Sequence, residues 1–136
     1  MSRASKTPRS LPGQRQTKQR ILVYEVIRRA EGPLTVPEIH ALVLRQMPKT
    51  GIATVYRTVK LLSDSEWIKA VIMPSGETRY ESADLAHHHH FQCKTCGQVF
   101  DIDHCPMSMP KGSELPGGFV LHEHEITMYG VCPRCK

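Results

Sequence analysis

Apolar residues return at a helical interval three times in the first half of the chain. Val23, Val26, Ile27 and Ala30 fall at i, i+3, i+4 and i+7, one buried stripe of a helix that starts near Thr17 and stops at Glu31-Gly32-Pro33. Ile39, Leu42 and Val43 mark a second helix. Thr35 opens it as N-cap with Glu38 three residues on, a capping box that tolerates Pro37 in the first turn, and Met47-Pro48 ends it. The third runs from Ile52 to Ser63 and has two faces. Ile52, Val55, Val59 and Leu62 are set for a core, while Ala53, Tyr56, Arg57 and Lys60, with Thr54 beside them, share the opposite side.

Beyond this helix the period shortens to two. Trp67–Met73 and Thr78–Ser82 flank Pro74-Ser75-Gly76-Glu77 and predict a hairpin with a glycine-containing turn. Three helices followed by a hairpin make a winged helix, with its third helix suited to a major groove. Thr54, Tyr56, Arg57 and Lys60 are the expected DNA-binding residues, and Lys69 and Arg79 are expected to lie along the phosphate backbone. Further strands are predicted at His90–Cys93, Gln98–Ile102, Phe119–His124 and Glu125–Tyr129. Between them, Cys105 to Gly118 carries three prolines and three glycines, which argues against a long helix. The fold class is α+β. Residues 1–13 read as a flexible basic arm, 14–82 as a winged-helix DNA-binding domain and 83–136 as a metal-binding domain.

Charge sharpens that division. The net charge of +5 combines 14 Lys/Arg against 6 Asp/Glu in residues 1–80 (+8) with 4 against 7 in residues 81–136 (−3). Seven of the eight histidines lie in the second part. A basic half joined to an acidic, ligand-rich half fits a polyanion binder coupled to a cation binder, although a basic surface alone is often no more than a solvated one. Nothing resembles a signal peptide, and no apolar run approaches the ~20 residues that span a bilayer. The chain is expected to be cytoplasmic, where paired cysteines are metal ligands more often than disulfides.

The chemistry concentrates in His87-His88-His89-His90-Phe91-Gln92-Cys93-Lys94-Thr95-Cys96-Gly97. Cys93 and Cys96 form one Cys-x-x-Cys pair, and Cys132 and Cys135 form another at the C-terminus. Two such pairs can wrap one zinc in four thiolates at about 2.3 Å, a closed structural site with no open position for a substrate. A redox dithiol is the competing reading. On a strand His88 and His90 point to one side while His87 and His89 point to the other, so one strand can feed two further metal sites. No His-Glu-x-x-His helix is present, and an enzyme is not expected.

Gly51-Ile52-Ala53-Thr54-Val55-Tyr56-Arg57-Thr58-Val59, His87–His90, Cys93-x-x-Cys96-Gly97 and Tyr129-Gly130-Val131-Cys132-x-x-Cys135 together resemble the ferric uptake regulator family of metal-sensing repressors, over about Arg15 to Cys135. The resemblance implies a winged helix on palindromic double-stranded DNA, a small C-terminal α/β dimerisation domain, a homodimer, and DNA affinity that depends on metal. By position it makes Cys93, Cys96, Cys132 and Cys135 the structural zinc site. Glu81, His88, His90 and Asp101 become the regulatory site for a second divalent ion (iron, zinc or manganese). It suggests His87, His89 and His124 for an additional site, with His122 or Glu123 nearby.

Two departures qualify the likeness. Pro33 stands where the family usually has a metal-binding histidine, which leaves Glu81, or a substitute such as Cys105, His104 or His40, to tie the DNA-binding domain to the metal. Ser108 lies near the place of an acidic ligand and is a poor donor. The expected function is a metal-dependent transcriptional repressor of metal-uptake or metal-homeostasis genes. The alternatives are a peroxide sensor of the same family, for which the loss at Pro33 is unfavourable, or a metal store or chaperone that binds no DNA.

Overall fold

A computed structural model describes residues 18–107 and 109–136. The basic arm 1–13, the Thr17 cap and Ser108 lie outside the described residues. The chain divides between Ala86 and His87 into two compact units.

The first unit holds α1 (Lys18–Arg29), α2 (Val36–Leu44), α3 (Ile52–Asp64) and an antiparallel hairpin of β1 (Ile68–Ile72) and β2 (Thr78–Ser82). Helix α2 starts as its sequence dictates: the Thr35 hydroxyl accepts the Glu38 N–H at 3.2 Å, and the Glu38 carboxylate accepts the Thr35 N–H at 2.9 Å. Val23, Tyr24 and Ile27 of α1, Ile39 and Val43 of α2, and Val55, Val59 and Leu62 of α3 bury against one another and against Ile68. Trp67 meets Tyr24 edge to face, with ring centroids 5.4 Å apart. Leu34 and Tyr80 exchange backbone hydrogen bonds at 3.0 and 2.8 Å, so the α1–α2 connection adds a one-residue rung to the hairpin. This is a winged helix.

Two expectations for this unit need correction. Ile52 is 41% exposed, because it opens α3 at the end of the helix rather than over the core, and Thr58 is buried beside Val59 instead. Arg79 does not lie along the wing's outer surface. It is 4% exposed, with Nη1 donating to Glu38 at 2.8 Å and to the Pro33 carbonyl at 3.1 Å, and Nε donating to Glu77 at 2.6 Å. A guanidinium held this way ties hairpin to α2 and offers nothing to phosphate.

The second unit is built on a three-stranded sheet ordered β4-β3-β7, from β3 (His89–Cys93), β4 (Val99–Ile102) and β7 (Thr127–Gly130). β3 runs antiparallel to β4 and parallel to β7. A separate hairpin pairs β5 (Glu114–Leu115) with β6 (Phe119–Val120) around Pro116-Gly117-Gly118, where both glycines adopt positive φ. The strand expected from Phe119 to His124 is therefore short. Leu121 turns back to bond Ser113 and Gly112, and His122 to Ile126 carry no regular structure. Among the described residues every helix belongs to the first unit.

Candidate metal centres and nucleic-acid interface

Both Cys-x-x-Cys segments are tight turns, and the sheet delivers them to one point. Cys93 ends β3; the chain then reverses, with Gly97 N–H donating to the Cys93 carbonyl at 2.9 Å and Gly97 at φ 78°. On the parallel neighbour, Cys93 is registered with Gly130, and Lys94 N–H donates to the Gly130 carbonyl at 2.7 Å, which places Cys132 beside Cys93. A Cβ on Gly130 would come 3.0 Å from the Phe91 ring, so a larger residue there would have to displace that ring. The second turn repeats the motif: Cys135 N–H donates to the Cys132 carbonyl at 3.0 Å.

The four sulfurs lie within 4.8 Å of one another, and Cys96 Sγ is 4.0 Å from Cys132 Sγ. Thiolates on a tetrahedral zinc at about 2.3 Å stand about 3.8 Å apart, so the donor set fits that ion. Electrostatics agree with it. Backbone N–H groups of Cys96 and Cys132 aim at the Cys93 sulfur, at 3.5 and 3.4 Å, and favour the thiolate, bringing its pKa down to about 6. Cys135 is pushed the other way, to about 12, because its proton is shared with the Cys132 sulfur and with the neighbouring sulfurs. Without a cation the cluster can hold only part of its negative charge.

Upstream, in the run that leads into β3, the side chains alternate. His88 and His90 face one side with their rings 4.9 Å apart, and His90 is registered across the strand pair with Asp101 of β4. Asp101 Oδ1 is 3.7 Å from His88 Nε2 and 3.8 Å from His90 Nε2, and its side chain is 4% exposed. Those separations suit three donors around one divalent ion. Glu81, on β2 of the other unit, is buried with Lys69 Nζ at 3.6 Å from its carboxylate.

His87 and His89 face the opposite side. There they meet His124 and Cys105, and the four donor atoms again lie within 4.8 Å. Burial and then the neighbouring imidazoles hold the His89 pKa below the ordinary histidine value, so its ring is neutral at pH 7. His122 and Glu123, expected nearby, are exposed and outside the group, since the irregular run after Leu121 turns only His124 inward. Of the substitutes weighed for Pro33, Cys105 belongs to this group, His104 is exposed, and His40 donates to the Thr50 carbonyl at 2.8 Å. Sequence reasoning missed Cys105 here. Its signal was arithmetic: an unpaired fifth thiol in a chain whose other four cysteines form two pairs.

In the first unit Ala53, Tyr56, Arg57 and Lys60 are exposed along α3, with Thr54 half-buried among them. Arg57 Nη2 donates to Thr54 Oγ1 at 3.2 Å, and Lys60 pairs with Asp64 at 3.0 Å. Tyr56 stands 53% exposed on a helix whose other face is in the core. A cationic, hydroxylated and aromatic surface held on a rigid helix can contact base edges and phosphates.

The chain is similar to proteins of known name. The Ferric uptake regulator family matches residues 12–129. The chain is 31% identical over 130 residues to the Ferric uptake regulation protein of Bacillus subtilis, covering 93% of this chain and 85% of that one. It is 30% identical over 127 residues to the protein of the same name from Campylobacter jejuni, covering 91% and 81%. A solved zinc-bound manganese uptake regulator superposes with a TM-score of 0.70 at 27% identity, covering 88% of this chain and 91% of the other.

Proposed function

Because the chain belongs to the ferric uptake regulator family, we propose that it is a metal-dependent, DNA-binding transcriptional repressor of metal-uptake or metal-homeostasis genes, acting as a homodimer on a palindromic operator. The observation that supports this reading is the pairing of an exposed cationic helix face in a basic unit with converging imidazole and carboxylate donors in the next.

In this reading Cys93, Cys96, Cys132 and Cys135 hold a structural zinc, one per subunit. His88, His90 and Asp101, joined by Glu81, hold the regulatory ion. Glu81 is the member of the set that lies on β2 of the winged-helix unit, two residues after Arg79, whose bonds to Glu77 and Glu38 lock the hairpin to α2. A bound divalent cation supplies differential affinity for the DNA-binding arrangement of the dimer. Mixed nitrogen and oxygen donors suit iron, zinc or manganese. A tenfold preference for one arrangement shifts that balance by only about 1.4 kcal/mol, so a switch needs several ligands in each subunit. Tyr56 and Arg57 contact bases or backbone, assisted by Thr54 and Lys60, in half-sites about 34–36 Å apart.

Two variants test the two halves separately. Arg57→Ala should weaken operator binding about tenfold or more while metal content stays the same; operator affinity equal to the parent's removes α3 from the interface. His88→Ala with His90→Ala should abolish the response of DNA binding to added metal while the cysteine-bound zinc remains. A response at the parent's metal threshold would misplace the sensing site.

A further inference from the structure

We propose that Lys69 is the counter-ion that a regulatory cation must displace from Glu81, so that this lysine sets the metal concentration at which the site responds. The inference rests on the reading of Glu81 as a member of the regulatory donor set.

Position is the first support. Lys69 of β1 stands directly opposite Glu81 of β2 in the hairpin register, and alternation puts Val71 and Arg79 on the same face. Lys69 Nζ lies 3.6 Å from Glu81 Oε2, while Arg79 bonds Glu38 and Glu77. On sequence Lys69 reads as a phosphate contact; its ammonium lies against Glu81 instead.

Burial is the second. The Glu81 side chain is 1% exposed and that of Lys69 is 51% exposed. A carboxylate withdrawn this far from water needs positive charge beside it. The lysine supplies that charge from the solvent side, on a flexible stem whose head can return to water. At 3.6 Å the two form an ion pair without a hydrogen bond, so no fixed geometry is lost when they part. Arg79, 4% exposed and bonded to two carboxylates, has no such freedom.

Charge balance is the third. In the proposed donor set two carboxylates, Glu81 and Asp101, offset one divalent cation, and His88 and His90 ligate as neutral rings. With Lys69 still in place, the group would hold one positive charge too many where solvent screens it poorly. Either cation neutralises Glu81, and the two compete for it. A carboxylate oxygen on zinc lies at about 2.0–2.2 Å, far closer than the ammonium, so the metal prevails once it is abundant enough. Lys69 thereby weakens metal binding without touching the ion.

The test uses the full-length protein with Zn2+ kept on the four-cysteine cluster. It is titrated with Mn2+, which suits nitrogen and oxygen donors over thiolates, and the free ion is followed by electron paramagnetic resonance. Lys69→Met keeps the apolar stem and removes the charge; it should bind Mn2+ about tenfold more tightly than the parent. Lys69→Gln should do the same, which covers poor folding of the first variant. Lys69→Arg keeps the charge and should bind no more tightly than the parent. In a Glu81→Gln background Lys69→Met should change nothing, because the carboxylate through which it acts is gone. A lysine that merely braces the hairpin predicts equal or weaker Mn2+ binding in both neutral variants, and that result overturns the proposal. Should Glu81→Gln bind Mn2+ as tightly as the parent, Glu81 leaves the donor set and both readings fall. Weakened binding in Glu81→Gln beside unchanged binding in Lys69→Met strikes this proposal alone.

Discussion

The helical unit buries eleven apolar side chains in one cluster, from Val23 to Ile68, with Trp67 and Tyr80 packed against it. Among the described residues of the strand unit, the buried apolar positions are Cys93, Val99 and Cys132, two of them metal-type donors. Phe119, Val120, Tyr129 and Val131 of that unit are exposed. One unit is held by hydrophobic packing, at roughly 1.5–3 kcal/mol for each fully buried large side chain. The other buries few apolar side chains within its own chain, and in the proposed reading a zinc on the four cysteines cross-links its two turns. A fold of that second kind is as stable as its metal is tightly bound.

The largest effect that follows is at Cys93. Structural zinc contributes about 10–16 kcal/mol of apparent binding free energy in small zinc domains. Cys93→Ser should therefore unfold the strand unit while α1 to α3 keep their protection from hydrogen exchange. Protection lost evenly across both units would show that the two are not held by different means. Ile39→Ala reverses the experiment. It should cost the helical unit about 2–5 kcal/mol through the cavity it leaves, with zinc content unchanged; loss of zinc from that variant would break the comparison from the other side. Thr35→Ala is the fine adjustment. Removing one half of the capping box should lower the helical unit's stability by about 1 kcal/mol, read as a shift in its denaturant midpoint, and no shift would mean that α2 is fixed by packing alone.

These differences also explain which features could be read from the chain before its fold was known. The helices, the capping box and both Cys-x-x-Cys turns carry their geometry within a few residues, and Thr35 and Glu38 bond as their spacing requires. The alternation of His87 to His90 is equally local, so the two donor groups on either side of β3 were legible. Arg79 was not: its partner Glu38 lies 41 positions away, and an arginine on a hairpin looks the same whether it meets phosphate or a buried carboxylate. Cys105 failed for the same reason, since its contacts to His89 and His124 span 16 and 19 residues through an irregular segment. Ile52 shows the limit of periodicity, which assigns a face but not the point where the core ends.

The four consecutive histidines that run into β3 carry one further implication. Identical side chains in tandem lose nothing in composition when a strand slips by one place, yet such a slip turns each ring to the other side. His87 and His89 would then approach Asp101, and His88 and His90 would approach Cys105. Which imidazole joins which donor group is thus decided by strand alignment, anchored at Cys93 opposite Gly130 and at His90 opposite Asp101. A single inserted or deleted residue between Ala86 and Phe91 would keep most donors while exchanging their assignments.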